Sequence, residues 1–436
     1  MADRLEPREY DEYLSTKLPA LSASGHRLSE LYYSLDTSSV EILEATTNWS
    51  MKINLTSYAF GSSNQINMPM SAFIGLCILH LQLPVPSTST QSICRGWGLA
   101  MLQRLRFQFG SSASTPIILT KQAIWHTLFS QCTTEEKRTA TLRLCGEQYS
   151  SVPIVPVGAV AYENHAYVPL PVPFSYICEK LMYDTTILGQ PITLFIDFES
   201  NARLIYGGST APPAAFLNAE CMIRQMQMAN PAKSLRTLMA ADPTLIYSYP
   251  FTMSLGYQTP DFTVADNTAV QTVQFNQFQN SDLVGIVFCV QRLSDIQPNS
   301  PDTPNPFHCD PIREVNITYN GGMVFQLPYQ SYRAIATYMG DQQNSSYLAS
   351  YIQPGDGPIF NSSCTEEYLI WLDFSQCRAV CDQSHMNNTW RIPPGNVLQV
   401  QFKTQFGSGT SYRCYYTTFY NAIVTASGGV SNVFTS

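Results

Sequence analysis

The sequence predicts an all-β protein built as two tandem sandwiches with a few short helices. Three observations carry this. From about residue 35 onward, apolar residues alternate with polar ones at period two, the spacing of strands with one buried face. Gly- and Pro-rich turn signals separate those runs. The length of 436 residues exceeds what one sandwich normally holds, whereas two of roughly 200 residues each fit.

The strands can be justified in order. Phe73–Leu83 is an apolar run closed by Pro84-Val85-Pro86. Leu105, Phe107 and Phe109 alternate with Arg104, Arg106 and Gln108. Ile192, Leu194, Ile196 and Phe198 alternate with Thr193, Phe195 and Asp197. Further runs are Leu283–Val290, Tyr368–Phe374 and Tyr415–Val424, and Leu398, Val400 and Phe402 repeat the alternation. Turns are expected at Gly207-Gly208-Ser209, Pro354-Gly355-Asp356-Gly357, Pro393-Pro394-Gly395-Asn396 and Gly407-Ser408-Gly409. Prolines sit at strand entrances, as at Pro169, Pro171 and Pro191, where a missing N–H is tolerated. Lys121–Cys132 and Ala232–Ala241 read as helices, the second opened by Asn230-Pro231, a cap and first-turn pair. The expected units are an arm over 1–35, a first sandwich over 36–240 and a second over 241–436.

Charge is scarce. The chain has 24 Lys+Arg and 32 Asp+Glu, so 13% of residues are charged and the formal net charge is -8, against about 25% charged in an average domain. Ten of those charges fall in the first 30 residues, which marks an arm outside the core. That arm is net acidic, and no Lys/Arg cluster exists elsewhere, which argues against sequence-specific nucleic-acid binding. Aromatics at 12% exclude a disordered chain. No apolar run reaches the length of a membrane-spanning helix. A body so poor in charge is expected to be covered by neighbours.

The 12 cysteines are spread through apolar runs, as in Leu76-Cys77-Ile78 and Phe288-Cys289-Val290, and read as buried thiols rather than a disulfide scaffold. N-x-S/T sequons begin at Asn48, Asn54, Asn316, Asn344, Asn361 and Asn387. The charged start Met1-Ala2-Asp3-Arg4 has no apolar signal core, so neither secretion nor glycosylation is expected.

Chemistry is thinly represented. No nucleophile elbow, dinucleotide fingerprint or P-loop is present. Cys377, Cys381 and His385 offer three ligands at the wrong step for a zinc knuckle, and His308-Cys309-Asp310 are adjacent residues in a Pro-rich loop. Asp197/Glu199 and Glu366/Glu367 are the acidic pairs. The first shares one strand face, as glycosidase carboxylates would, and it also fits a solvated strand end. Six histidines, no two close in sequence, give few general bases. No catalytic residue, metal or cofactor is expected. Candidate subunit-interface or packing residues are Arg104 and Arg106 on one strand face, and Tyr412, Tyr415, Tyr416, Phe419 and Tyr420 in one late segment. Tyrosine buries large area while keeping a hydroxyl for a partner.

Five segments, in order, resemble the double jelly-roll major capsid proteins of icosahedral DNA viruses. They are Gly96-Trp97-Gly98-Leu99-Ala100 with the strand to Phe109-Gly110; Tyr167-Val168-Pro169-Leu170-Pro171-Val172-Pro173-Phe174 leading to Ile192–Phe198; Ser281 to Gln291; Gly357-Pro358-Ile359-Phe360 with Tyr368–Phe374; and Tyr416 to Val424 with Gly428 to Asn432. The resemblance spans nearly the whole chain beyond residue 35. It implies two eight-stranded jelly rolls and a homotrimer with pseudo-sixfold outline that self-assembles with neighbouring capsomers. It further implies minor capsid or penton proteins as partners, and an inner membrane or membrane protein touched by the arm. The place would be the virion, assembled in the host cytoplasm or nucleus. Residues 292–320 and 340–366 would form outer tower loops. Two alternatives stand beside it. One is a vertex or spike component. The other is a carbohydrate-binding or carbohydrate-active jelly roll, which the scatter of Trp49, Trp97, Trp125, Trp371 and Trp390 disfavours.

Overall fold

The computed structural model describes residues 47–68, 73–84, 92–93, 96–109, 117–130, 140–141, 143–146, 165–171, 183–184, 191–200, 205–206, 214–226, 247–266, 268–275, 282–293, 312–328, 370–373, 390–391, 397–404, 409–427 and 430–435. The arm over 1–35, the expected helix at Ala232–Ala241, the Cys377 and His308 clusters, Glu366/Glu367 and the loop 340–366 lie outside them.

The first group of strands is β1 (Thr47–Asn54), β2 (Ser63–Asn67), β3 (Phe73–Gln82), β4 (Ser92–Ile93), β5 (Leu102–Phe109), β6 (Ile117–Thr120), β7 (His165–Leu170), β8 (Tyr183–Asp184), β9 (Ile192–Phe198), β10 (Ile205–Tyr206) and β11 (Asn218–Met226). Helix α1 (Trp97–Ala100) precedes β5, and α2 (Lys121–Ser130) follows β6 directly. The second group is β12 (Tyr247–Gln258), β13 (Phe262–Val264), β14 (Gln271–Phe275), β15 (Asp282–Arg292), β16 (Ile312–Tyr319), β17 (Gly322–Pro328), β18 (Ile370–Asp373), β19 (Trp390–Arg391), β20 (Leu398–Thr404), β21 (Thr410–Ser427) and β22 (Val430–Thr435).

All the pairings are antiparallel, and no described sheet mixes the two groups. In the first group, sheet I runs β1-β11-β3-β7 and sheet II runs β2-β9-β5-β6. In the second, sheet III runs β12-β21-β15-β18 and sheet IV runs β14-β20-β16-β17. The short strands are additions: β8 pairs β3, β10 pairs β4, β13 and β22 pair β21, and β19 pairs β15. With the eight main strands of each group numbered along the chain, both groups give the same two sheets, 1-8-3-6 and 2-7-4-5. That order is the jelly roll, a sandwich closed by two Greek keys. The chain holds it twice.

Alternation explains each layer. Sheet I turns Cys77, Leu79, Leu81, Ala166, Val168, Leu170, Cys221 and Ile223 inward, all at 1% exposure or less. Sheet II turns in Ile66, Leu105, Phe107, Leu194 and Ile196, equally buried. In the second sandwich Phe288 meets Phe402 edge-on at 5.2 Å, and Phe262 bridges Phe402 and Tyr412. Local chemistry closes the β16–β17 hairpin through Asn320 and Gly321, both at positive φ. That is the pair a two-residue turn of this twist favours. Pro250 lies in β12, the outermost strand on the path of sheet III, where its missing N–H can be tolerated.

The helix expected at Lys121–Cys132 is α2, and the expected strands Phe73–Leu83, Leu283–Val290, Tyr368–Phe374 and Tyr415–Val424 fall on β3, β15, β18 and β21. One reading needs correction. Residues 292–320 are not one loop: Ile312–Tyr319 is β16, paired on both sides by β17 and β20. Val315, Ile317 and Tyr319 alternate with Glu314, Asn316 and Thr318 over only six residues, directly after a stretch rich in Pro and Asn.

The described cysteines Cys77, Cys145, Cys221, Cys289 and Cys414 are buried free thiols. Burial pushes the Cys221 thiol up to about 12 and raises Cys77 and Cys414 well above the ordinary range, which keeps them as unreactive thiols. Native protein treated with a thiol-specific disulfide reagent at about pH 8 should therefore leave these five unmodified. Mass-spectrometric mapping should find them labelled only after denaturation.

Candidate functional site

Two surfaces of the first sandwich and the seam between the sandwiches gather the polar and aromatic groups of interest. On the outer face of sheet II, β5 sets Arg104 and Arg106 two residues apart, so both point away from the core. The neighbouring strand β9 places Asp197 between them. Arg104 Nε donates to Asp197 Oδ2 at 2.6 Å, and an Arg106 terminal nitrogen donates to Oδ1 at 3.1 Å. Ser63 Oγ, from β2, donates to Oδ1 at 2.5 Å. The Arg106 guanidinium also lies 4.7 Å from the Phe195 ring centroid, a cation–π contact. The Asp197 side chain is only 6% exposed, against 45% for Arg104 and 28% for Arg106.

Desolvation alone would raise the Asp197 pKa, but the hydrogen bonds from Ser63, Arg104 and Arg106 outweigh it and hold the carboxyl below its ordinary range. Glu199, the other half of the acidic pair, bonds Lys121 Nζ at 2.9 Å. Each carboxylate is thus tied to a cation. A glycosidase acid needs its proton held at neutral pH, and Asp197 is tuned the opposite way.

The late aromatic segment divides by parity along β21. Tyr412, Tyr416 and Tyr420 share the face that carries Phe402 contacts through Phe262 and Phe288, and are buried at 0%, 6% and 1%. Tyr257 packs on Tyr416 at 5.1 Å between centroids. Tyr415, Thr417 and Phe419 point the other way, toward the first sandwich. Phe419 is buried and Tyr415 is half-buried. Burial raises the Tyr415 hydroxyl pKa and the Arg413 hydrogen bond opposes that shift. Four of the five expected interface aromatics are therefore buried within a single chain. The sequence pattern could not show this, because Tyr412 and Tyr416 are covered by other strands of the second sandwich and the surface facing Phe419 is nearly 300 residues away in sequence.

The surface facing Phe419 is the β6–α2 corner. Thr120 Oγ1 and Thr417 Oγ1 hydrogen-bond at 2.8 Å across the seam. In β12, Gly256 is the register partner of Thr417 and lies against the Thr120 side chain. A Cβ at residue 256 would collide with Thr120 Cγ2. Glycine there is a matter of space for the opposite sandwich.

Sequence reasoning missed the cluster on the second of these surfaces. On the outer face of sheet I, His80 Nδ1 lies 2.8 Å from Glu220 Oε1, and His80 Nε2 lies 2.9 Å from His165 Nδ1. Lys52 Nζ reaches the same Glu220 oxygen at 3.4 Å. Tyr167 stacks on His80 at 4.6 Å. The hydrogen-bonded pairs are 85 to 168 residues apart in sequence. Only strand pairing brings them together.

The sequence matches no protein-family model and no curated protein. The structure is similar to solved structures of viral capsid proteins. PBCV-1 VP54, fitted into a reconstruction of the virophage Sputnik, superposes with a TM-score of 0.62 at 13% identity, over 90% of this chain and 97% of that one. The Faustovirus major capsid protein gives 0.60 at 11% identity, over 88% and 91%. The Sputnik virophage structure gives 0.56 at 12%, over 88% of each. The fold is their double jelly roll. Identity this low leaves the fold as what is shared, and the double jelly roll is preserved over nearly the full length of both partners.

Two outcomes follow for stability. Replacing Asp197 by Asn should lower stability by about 2 kcal/mol, the size of charge-assisted hydrogen bonds. Because the folded carboxyl is held low, that difference should be complete above about pH 4 and vanish as pH falls through the folded value. Urea melts of both proteins from pH 7 to 2.5 check it. Gly256→Ala should destabilise by about 1–3 kcal/mol through overpacking, and adding Thr120→Ser, which removes Cγ2, should recover part of that loss.

Proposed function

We propose that this chain is the major capsid protein of an icosahedral DNA virus. The observation that carries the reading is the doubled eight-strand order in one chain, in a fold that aligns with nearly all of PBCV-1 VP54 and of the Faustovirus major capsid protein. Two sandwiches per chain mean that three chains present six. A closed threefold ring of such chains has a pseudo-sixfold outline, and rings of that outline tile a facet. The units of this reading are an arm over 1–35, a first jelly roll over 36–240 and a second over 241–436. The last main strand of the first sandwich ends at Met226 and the first of the second begins at Tyr247, which leaves the proposed boundary between them.

The work of such a protein is burial of surface, with no catalytic step. A body with 13% charged residues limits like-charge repulsion among many copies and supplies the charge-poor composition of interface cores. Arg104 and Arg106, held by Asp197 and still partly exposed, are the proposed polar contacts to a neighbouring chain. Tyr412, Tyr415, Tyr416, Phe419 and Tyr420 serve packing inside the chain and along the seam. Neighbouring capsomers, minor capsid or penton proteins, and an inner membrane or membrane protein at the acidic arm complete the proposed partners. Sequence-specific nucleic-acid binding has no part in this reading. The protein resides in the virion and is assembled in the host cytoplasm or nucleus.

Light scattering of the purified full chain should give a native mass near three times 48.7 kDa. A monomer that binds glycans, or a species present in only a few copies per particle, would overturn the reading.

A further inference from the structure

The His80–His165 pair lies apart from every surface used above. It belongs to the outer face of sheet I, and β7 is the outermost strand on that sheet's path. Among the described residues, β7 is held to β3 by its backbone ladder, by this side-chain contact and by the stack of Tyr167 on His80. Its inner residues Ala166 and Val168 pack on Gly98 of α1, on the opposite face.

The hydrogen bonds fix how many protons the cluster can hold. Hydrogen bonds from His80 and Lys52, together with the Lys52 charge, outweigh desolvation and keep the Glu220 carboxyl below its ordinary range. Glu220 is therefore an acceptor at neutral pH, and His80 Nδ1 must donate to it. The remaining contact, His80 Nε2 to His165 Nδ1, has room for one hydrogen. With both rings neutral, His165 donates and His80 accepts. One added proton is accommodated on either ring, still with a single hydrogen between the two nitrogens. A second added proton sets N–H against N–H and two positive charges about 3 Å apart.

Among the described residues, no carboxylate besides Glu220 is placed against the pair, and the charged and titratable groups facing it are Lys52 from β1, Glu220 from β11, and Tyr167 from β7 itself. Lysine of α2, the other helix near β7, is occupied by Glu199. The doubly protonated cluster would hold three cations against one carboxylate. Burial, then the neighbouring His80, lower the His165 pKa from its ordinary value. A base whose folded pKa is lowered leaves stability intact above its ordinary value near 6.5. That stability is lost as pH falls from there toward the folded value.

We propose that His80 and His165 form an acid-sensitive latch that holds edge strand β7 to sheet I and releases it when both rings are protonated. The latch does not depend on the capsid reading, since it resides in a single chain. Release would uncover Ala166, Val168 and Leu170, which are fully buried in the closed state.

Hydrogen exchange of the full chain, followed by mass spectrometry at pH 7.4 and 5.0 and normalised for intrinsic rates, tests this. Protection over 165–170 should fall roughly tenfold at the lower pH, while β21 changes little. In His165→Asn the side-chain amide can still donate to His80 and cannot be protonated, so the loss over 165–170 should disappear. An equal loss in both proteins, or none in the wild type, overturns the latch. If the variant does not fold, imidazole NMR titration of the wild type decides. Two separated proton uptakes, with the lower one below 6.5 and accompanied by β7 shifts, support the latch. Two independent, uncoupled titrations overturn it.

Discussion

Burial of β21 on both faces constrains the rest of the molecule. From Tyr416 to Tyr420 every residue is nearly inaccessible, yet a strand of a two-layer sandwich has only one inward face. The second covering layer is the first sandwich, through Thr120 and the start of α2. Because β21 pairs β12 on one side and β15 on the other, a fixed seam along it fixes the orientation of sheet III, and with it the second jelly roll. Gly256 shows how close the approach is: the space a Cβ would need is already filled by threonine.

Charge is handled by the same economy of contact. Three carboxylates of the first sandwich are held by cations: Asp197 by Arg104 and Arg106, Glu199 by Lys121, and Glu220 by Lys52, with His80 as a further hydrogen-bond partner. A face built this way presents neutralised, hydrogen-bonded groups rather than free charge. Desolvating it against another protein costs less than desolvating isolated ions. That property suits a surface destined for repeated contact, and it argues against reading the same carboxylates as acid–base catalysts.

The outer faces of the first sandwich differ in one respect. Sheet II carries guanidinium groups, which remain charged at any physiological pH. Sheet I carries imidazoles, which do not. A common architecture thus holds one pH-independent face and one that can respond to acid. The difference arises at a few strand positions that leave the hydrophobic core untouched.

Much of the fold was legible in the chain. Period-two alternation located β5, β9 and β20, because a half-buried strand must alternate whatever its partners are, and continuous apolar runs located β3, β15, β18 and β21. Length required two sandwiches, and the scarcity of charge was visible from composition alone. Strand order was not legible, since pairing joins residues as far apart as Thr47 and Met226 by register rather than by local pattern. β16 was overlooked for a different reason, its short alternation of Val315, Ile317 and Tyr319 following directly on a Pro-rich stretch. Dependence on distant partners also misdirected the aromatic cluster: Tyr416 and Phe419 read as material for a subunit contact, whereas Tyr416 packs on Tyr257 within the second sandwich and Phe419 faces the first. The His80–His165 pair was invisible for the same reason, as two histidines 85 residues apart carry no local signal. The sequence by itself determined the strands, the doubling and the low charge, because these follow from side-chain periodicity and composition. Which faces are covered, which charges meet and where a proton can be shared were decided by the tertiary structure, because they depend on distances that only the packed sheets define.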